Sequence, residues 1–127
     1  MCSTISVIYA SESRSLASLE YLVHLPISLE PVELAVATLV IPDRIVPTEI
    51  GISYLPQDWK VFPAPSRLAD MGTKWAQEGE SLLLRVPSAV VPDEYNILIN
   101  PLHPDIVDVD LEDVHKYVFD ERLLKRK

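Results

Sequence analysis

The sequence predicts a mixed α+β domain of short strands and two main helices, and three observations carry that prediction. Runs of alternating and β-branched residues at about 4–9 and 31–41 read as strands, whereas 12–24 and 66–78 space their apolar residues as helices do. Eleven prolines stand against three glycines, which cuts the chain into short pieces joined by stiff turns and argues against a helical bundle. The length of 127 residues suffices for one unit over 1–127 with a real hydrophobic core, and is too short for two.

Taken in order, Ile5, Val7 and Tyr9 alternate with Ser6 and Ile8, giving a strand over 4–9 that Tyr9 ends. Ser11 or Ser13 caps the helix that follows, Glu12 suits its positive end, and Pro26 closes it just beyond His24, so the helix runs over about 12–24. Val32, Leu34, Val36 and Thr38 alternate within PVELAVATLVI, a strand over 31–41. Pro42, Pro47, Pro56, Pro63 and Pro65 then impose an irregular stretch that Tyr54, Trp59 and Phe62 pin to the body.

Pro65 or Ser66 opens a second helix over 66–78, with Ala69, Trp75 and Ala76 as its apolar stripe and Gly79 as its stop. SLLLRV at 81–86 reads as a buried strand ended by Pro87 and Ser88. NILINPLH at 96–103 is a strand that stops at Pro101, and IVDVDL at 106–111 alternates again with its acids outward. Residues 117–119 form a last short strand candidate, and 122–127 a solvated basic tail. No internal repeat or low-complexity segment interrupts this order.

Composition narrows the function. The net charge of −8 repels phosphate backbones and anionic membranes, which disfavours nucleic acid as a partner. A small anionic ligand remains compatible, because one cation or a helix N-terminus can hold a phosphate. Cys2 is the only cysteine, so no intrachain disulfide forms and a cytoplasmic site is the default. His24, His103 and His115 lack ligand-like spacing with Cys2, so no metal site is expected; His103 reads as a histidine fixing a turn. No apolar run reaches the roughly 20 residues that cross a bilayer. The N-terminal MCSTISVIYA lacks the basic start of a signal peptide and opens directly on a strand pattern.

One residue breaks the pattern. Leu16, Leu19, Glu20 and Val23 fall on one helical face, so a carboxylate points where the core belongs. Such a group either lines a cavity, finds a donor, or reaches the rim to pair with a base such as Arg14. On pattern alone, Tyr9 is more often a core-edge tyrosine than a ligand contact, and Ser88 after a proline more often a turn former. Asn96 and Asn100 can equally satisfy backbone groups at strand ends.

Three blocks in this order, YASESRSLASLEYLVH, LLLRVPSAVVPDEYNILINPLHPD and FDERLL, resemble the RES domain family, the toxin half of bacterial Xre-RES toxin-antitoxin pairs. The resemblance implies a fold similar to ADP-ribosyltransferases and a site that acts on NAD as substrate, without a metal. It implies cleavage of the nicotinamide-ribose bond, with water, phosphate or a protein as acceptor. It further implies an Xre-family antitoxin as partner, and is compatible with a homo-oligomer within that complex. By motif, the family's glutamate falls on Glu20 and its serine on Ser88, while Tyr9 matches a pocket aromatic; these three are the expected catalytic residues. Tyr9, Ser88 and Asn100 are the expected NAD contacts.

The family's arginine lies in a glycine-rich segment upstream of the tyrosine, and nothing before Tyr9 here matches it. The expectation is a RES domain without its first part, whose affinity for the dinucleotide falls sharply unless Arg14 or Arg85 substitutes at the diphosphate. The alternatives are a domain that only binds the antitoxin, and a remnant that does not fold alone. The chemistry suits the residues: breaking the nicotinamide bond develops oxocarbenium-like charge on the ribose, which a fixed carboxylate stabilises, while an aromatic ring stacks on the nicotinamide.

Overall fold

The computed structural model describes residues 7–23, 34–51, 53, 55, 57–60 and 66–124, of which 66–69 and 124 by backbone alone. Expectations that rest on Cys2, Ile5, His24, Pro26, Val32, Tyr54, Phe62, the Ala69 side chain and residues 125–127 lie outside that description. The mixed α+β class is what the chain adopts.

Two sheets organise it. Strand β1 (Ile8–Ser11) pairs antiparallel with β5 (Tyr95–Ile99), which pairs antiparallel with β4 (Leu83–Pro87), which pairs in parallel with the short β3 (Thr48–Glu49). Strand β2 (Leu34–Val40) and β6 (Asp110–Tyr117) form a separate antiparallel ribbon. The helices are α1 (Arg14–Val23), α2 (Ser66–Glu78) and a single turn, α3 (Glu121–Leu124).

The period of two along each strand sorts the first sheet into two faces. One face carries Leu83 and Ile99, which join Leu82 and Ile45 in a core completed by Leu39 and Ile41 from the ribbon side and by Ile106 and Val109. The other carries Leu84 and Leu98, against which Trp75 and Ala76 of α2 pack, with Val7, Ile50 and Val86 around them. Gly79 takes φ 63, the left-handed conformation that lets α2 end where its sequence places the stop.

Four expectations shift. The first strand runs two residues past the Tyr9 at which the pattern ends it, so Tyr9 is inside it and Ser11 closes it, opposite Asn96. Ser13 is then the cap of α1, its Oγ accepting from the Leu16 N–H at 3.1 Å. The IVDVDL stretch is not a strand from its start: Pro104–Asp108 turns as a 3₁₀ helix, with His103 Nδ1 accepting from the Asp105 N–H at 3.0 Å, and pairing begins only at Asp110. Ile106 and Val109 thereby reach the core instead of alternating along a ladder. Tyr117 ends β6 and does not begin a new strand, and Phe119 is buried edge-on to it at 5.2 Å. The tail begins as α3, capped by Asp120, whose Oδ1 accepts from the Arg122 N–H at 2.9 Å.

Arg85 ties the sheet together on the face opposite Leu84. It donates to Glu12 at 2.8 Å and to Glu49 at 3.1 Å, and its guanidinium lies 3.6 Å from the Tyr95 ring centroid. The hydrogen bond that it donates to Glu12, against the opposing effect of burial, raises the pKa of the guanidinium above its ordinary value, so it stays charged. Arg85→Met is expected to lower the unfolding free energy by about 1–2 kcal/mol, a loss readable from the midpoint of a urea melt.

Candidate functional site

A cleft of about 860 Å³ opens over the Leu84 and Leu98 face of the first sheet, within the ~300–1,000 Å³ range of small-molecule sites. Residues of β1, α1, the 50–60 segment, α2 and the turn after β4 line it, and most of that lining is apolar. Among the described residues its polar features are few. They are Glu20, Asn96, Ser11, the hydroxyls of Tyr9 and Tyr21, and Lys60.

Glu20 reaches this cleft because only the first turn of its helical face is buried. Leu16 is 1% exposed and anchors α1, whereas Leu19 and Val23 remain exposed and Val23 lines the cleft. The residue that looked misplaced in a core thus borders a cavity. Its carboxylate is held from two sides: Ser88 Oγ donates to Oε1 at 3.2 Å, and Asn96 Nδ2 donates to Oε2 at 2.9 Å. Arg14, the base considered for it, reaches Thr38 Oγ1 at 3.2 Å.

Ser88 is 0% exposed and does not line the cleft. Its Oγ accepts from the N–H groups of Val90 and Val91 at 3.1 and 3.0 Å, so its one proton is left for Glu20. Turn former and partner of the acid are therefore one role. With no accessible surface, this expected NAD contact reaches the cleft only through Glu20. Asn100, the other buried residue expected at the site, is off the lining as well. It is 1% exposed, donates to the Ala76 carbonyl at 3.0 Å and accepts from the Leu102 N–H at 3.1 Å, so its amide joins the end of α2 to the turn after β5.

Tyr9 stands on the lining and is 76% exposed, with its ring available to solvent. Two further aromatics join it that sequence reading did not single out for the site: Tyr21 of α1, and Trp59, otherwise buried, from the segment after β3. Lys60 follows Trp59, its Nζ 5.9 Å from that ring centroid. Neither Arg14 nor Arg85 is on the lining; Arg85 is engaged by Glu12 and Glu49 on the opposite sheet face. The cation that the structure places on the lining is Lys60. Ser11 and Asn96 are also on the lining. Their partnership depends on the β1 and β5 register, which joins residues 85 positions apart.

The RES domain profile matches residues 3–120. The chain belongs to the RES domain family. A Sphingobium protein named Prs ADP-ribosylating toxin is 36% identical over 124 residues, an alignment covering 96% of this chain and 77% of that protein. A Yersinia enterocolitica protein named Toxin Res is 39% identical over 98 residues, covering 77% of this chain and 64% of that one. A Pseudomonas putida protein, also named Toxin Res, is 33% identical over 119 residues, covering 92% of this chain and 79% of its own length. In this RES domain, the helix of the first sequence block and the turn of the second meet through Glu20 and Ser88, which lie 68 positions apart in the chain.

Proposed function

We propose that this RES domain is a toxin that binds NAD in the cleft and breaks the bond between nicotinamide and ribose, passing ADP-ribose to an acceptor. The observation that carries the reading is the Glu20 carboxylate, held by two donors on the wall of an aromatic-lined cleft. The name of the Sphingobium relative supports it from outside the geometry.

As the bond breaks, its electron pair moves onto the pyridinium nitrogen, which leaves as neutral nicotinamide. Positive charge passes to the ribose ring. A carboxylate already oriented by Ser88 and Asn96 meets that charge without reorganising, which is where preorganised electrostatics lowers a barrier. The acceptor then bonds to the ribose carbon and gives up its proton. Tyr9 and Tyr21 offer faces on which the nicotinamide ring stacks, and the Lys60 ammonium offers a counter-charge to the diphosphate. Nicotinamide release from NAD by the purified chain tests the reading whichever acceptor is used. Transfer of label from adenylate-labelled NAD to protein then separates ADP-ribosylation from release to water or phosphate.

Lys60→Ala is expected to raise KM for NAD by about 3–30-fold with kcat within about twofold, because a contact to the diphosphate is made equally in ground and transition states. Lys60→Arg keeps the charge and stays near wild type.

An Xre-family antitoxin that covers the cleft keeps such an activity silent in the cytoplasm, and the exposed rings of Tyr9 and Tyr21 with Val23 give it an apolar surface to seat on. Co-purification of the two proteins, lost when Tyr9 and Tyr21 are both replaced by Glu, checks this. A chain that binds the antitoxin and releases no nicotinamide is a binding module, the second reading.

A further inference from the structure

Ser11 stands two residues after Tyr9 on β1 and directly opposite Asn96 in the strand register. Its hydroxyl donates to Asn96 Oδ1 at 2.7 Å, and the same amide donates through Nδ2 to Glu20 Oε2 at 2.9 Å. All three residues line the cleft.

We infer that Ser11 is a positioning residue for Glu20, acting through Asn96: its hydroxyl holds the amide in the orientation that presents N–H to the carboxylate. The inference rests on the reading of Glu20 as the group that faces the reacting ribose. An asparagine amide has one end that only accepts and one that only donates. Turned by half a revolution, it sets its carbonyl oxygen against a carboxylate oxygen, with no proton between them.

The backbone leaves that torsion as the remaining freedom. Asn96 is paired with Ser11 on one side and with Val86 on the other, so its position in the sheet is fixed by two ladders. The terminal torsion of an asparagine is broad and only weakly restricted by itself. Ser11 restricts it. The other carboxylate oxygen has a separate anchor, the buried Ser88 hydroxyl set by the turn after β4. The two donors define the plane of the carboxylate from both oxygens, and a misplacement of about 1 Å at a reacting group costs up to ~10²-fold in rate.

Nicotinamide release from NAD is to be compared for wild type, Ser11→Ala, Ser11→Thr, Asn96→Ala and the Ser11→Ala/Asn96→Ala double variant. Ser11→Ala is expected to lower kcat by about 5–30-fold with KM within about twofold, and Ser11→Thr, which keeps the hydroxyl on a strand, to recover to within about threefold. In the Asn96→Ala background, removing the Ser11 hydroxyl changes kcat by less than about twofold, because the residue it acts through is gone. If Ser11→Ala raises KM and spares kcat, or keeps its full effect without Asn96, Ser11 touches the substrate itself and the inference is overturned.

A wild type that releases no nicotinamide sinks the NAD reading, and the positioning role is then decided without activity. The side-chain amide signals of Asn96 in a nitrogen-15 spectrum are expected to move to solvent-exposed values in Ser11→Ala; unchanged signals overturn the inference.

Discussion

Glu20→Gln is expected to lower the rate of nicotinamide release from NAD by about 10²–10³-fold, the usual scale for deleting one preorganised charge-stabilising group. The substitution keeps the volume and removes the charge. It also disturbs the anchoring: a glutamine amide accepts through one oxygen only, so it answers Ser88 or Asn96 and sets an NH₂ group against the other donor. The loss falls on kcat, since the carboxylate is asked to meet charge that develops only as the bond breaks. Growth arrest on expression, present with wild type and absent with Glu20→Gln at equal protein level, gives the same answer in cells. A Glu20→Gln protein that releases nicotinamide at the wild-type rate removes the acid from the mechanism.

Asn100→Ala is the variant expected to damage the fold most among the polar residues near the cleft. It removes the donor to the Ala76 carbonyl and the acceptor for the Leu102 N–H in a place that water does not reach. Each buried group left unmatched costs about 1–3 kcal/mol, so the pair gives about 2–5 kcal/mol. For a domain of this size the melting temperature falls by about 10 °C or more. KM for NAD in the protein that remains folded is expected to stay within about twofold of wild type. A raised KM at unchanged melting temperature returns Asn100 to the ligand and contradicts the burial described above.

Local signals were legible where local physics decides the outcome. The second helix begins and ends as its sequence indicates, because Gly79 can take a positive φ and the Trp75 and Ala76 stripe has one face to bury. Strands β4 and β5 were visible as apolar runs closed by prolines. The segment 106–109 misled for the opposite reason. Its alternation matches a strand, yet Pro104 and the His103 cap favour a 3₁₀ turn, and Ile106 and Val109 gain burial from it. The two-residue β3 left no periodicity to read, since its pairing with β4 is decided by a partner 36 residues away.

By itself, the sequence determined the α+β class, the placing of both main helices, the family, and the oddity of an acid among Leu16, Leu19 and Val23. Those are properties of spacing and residue type. Only the tertiary structure decided where the acid sits. Whether Glu20 meets core, rim or cavity depends on which elements stand opposite α1, and the β1-β5-β4 order brings Asn96 and the Ser88 turn there. It likewise kept Ser88 and Asn100 off the cleft lining, occupied Arg85 on the far face of the sheet, and set Lys60 at the cleft. A side chain's type is written in the chain, but its partners are fixed by strand register and packing between residues far apart in sequence, which no local pattern encodes.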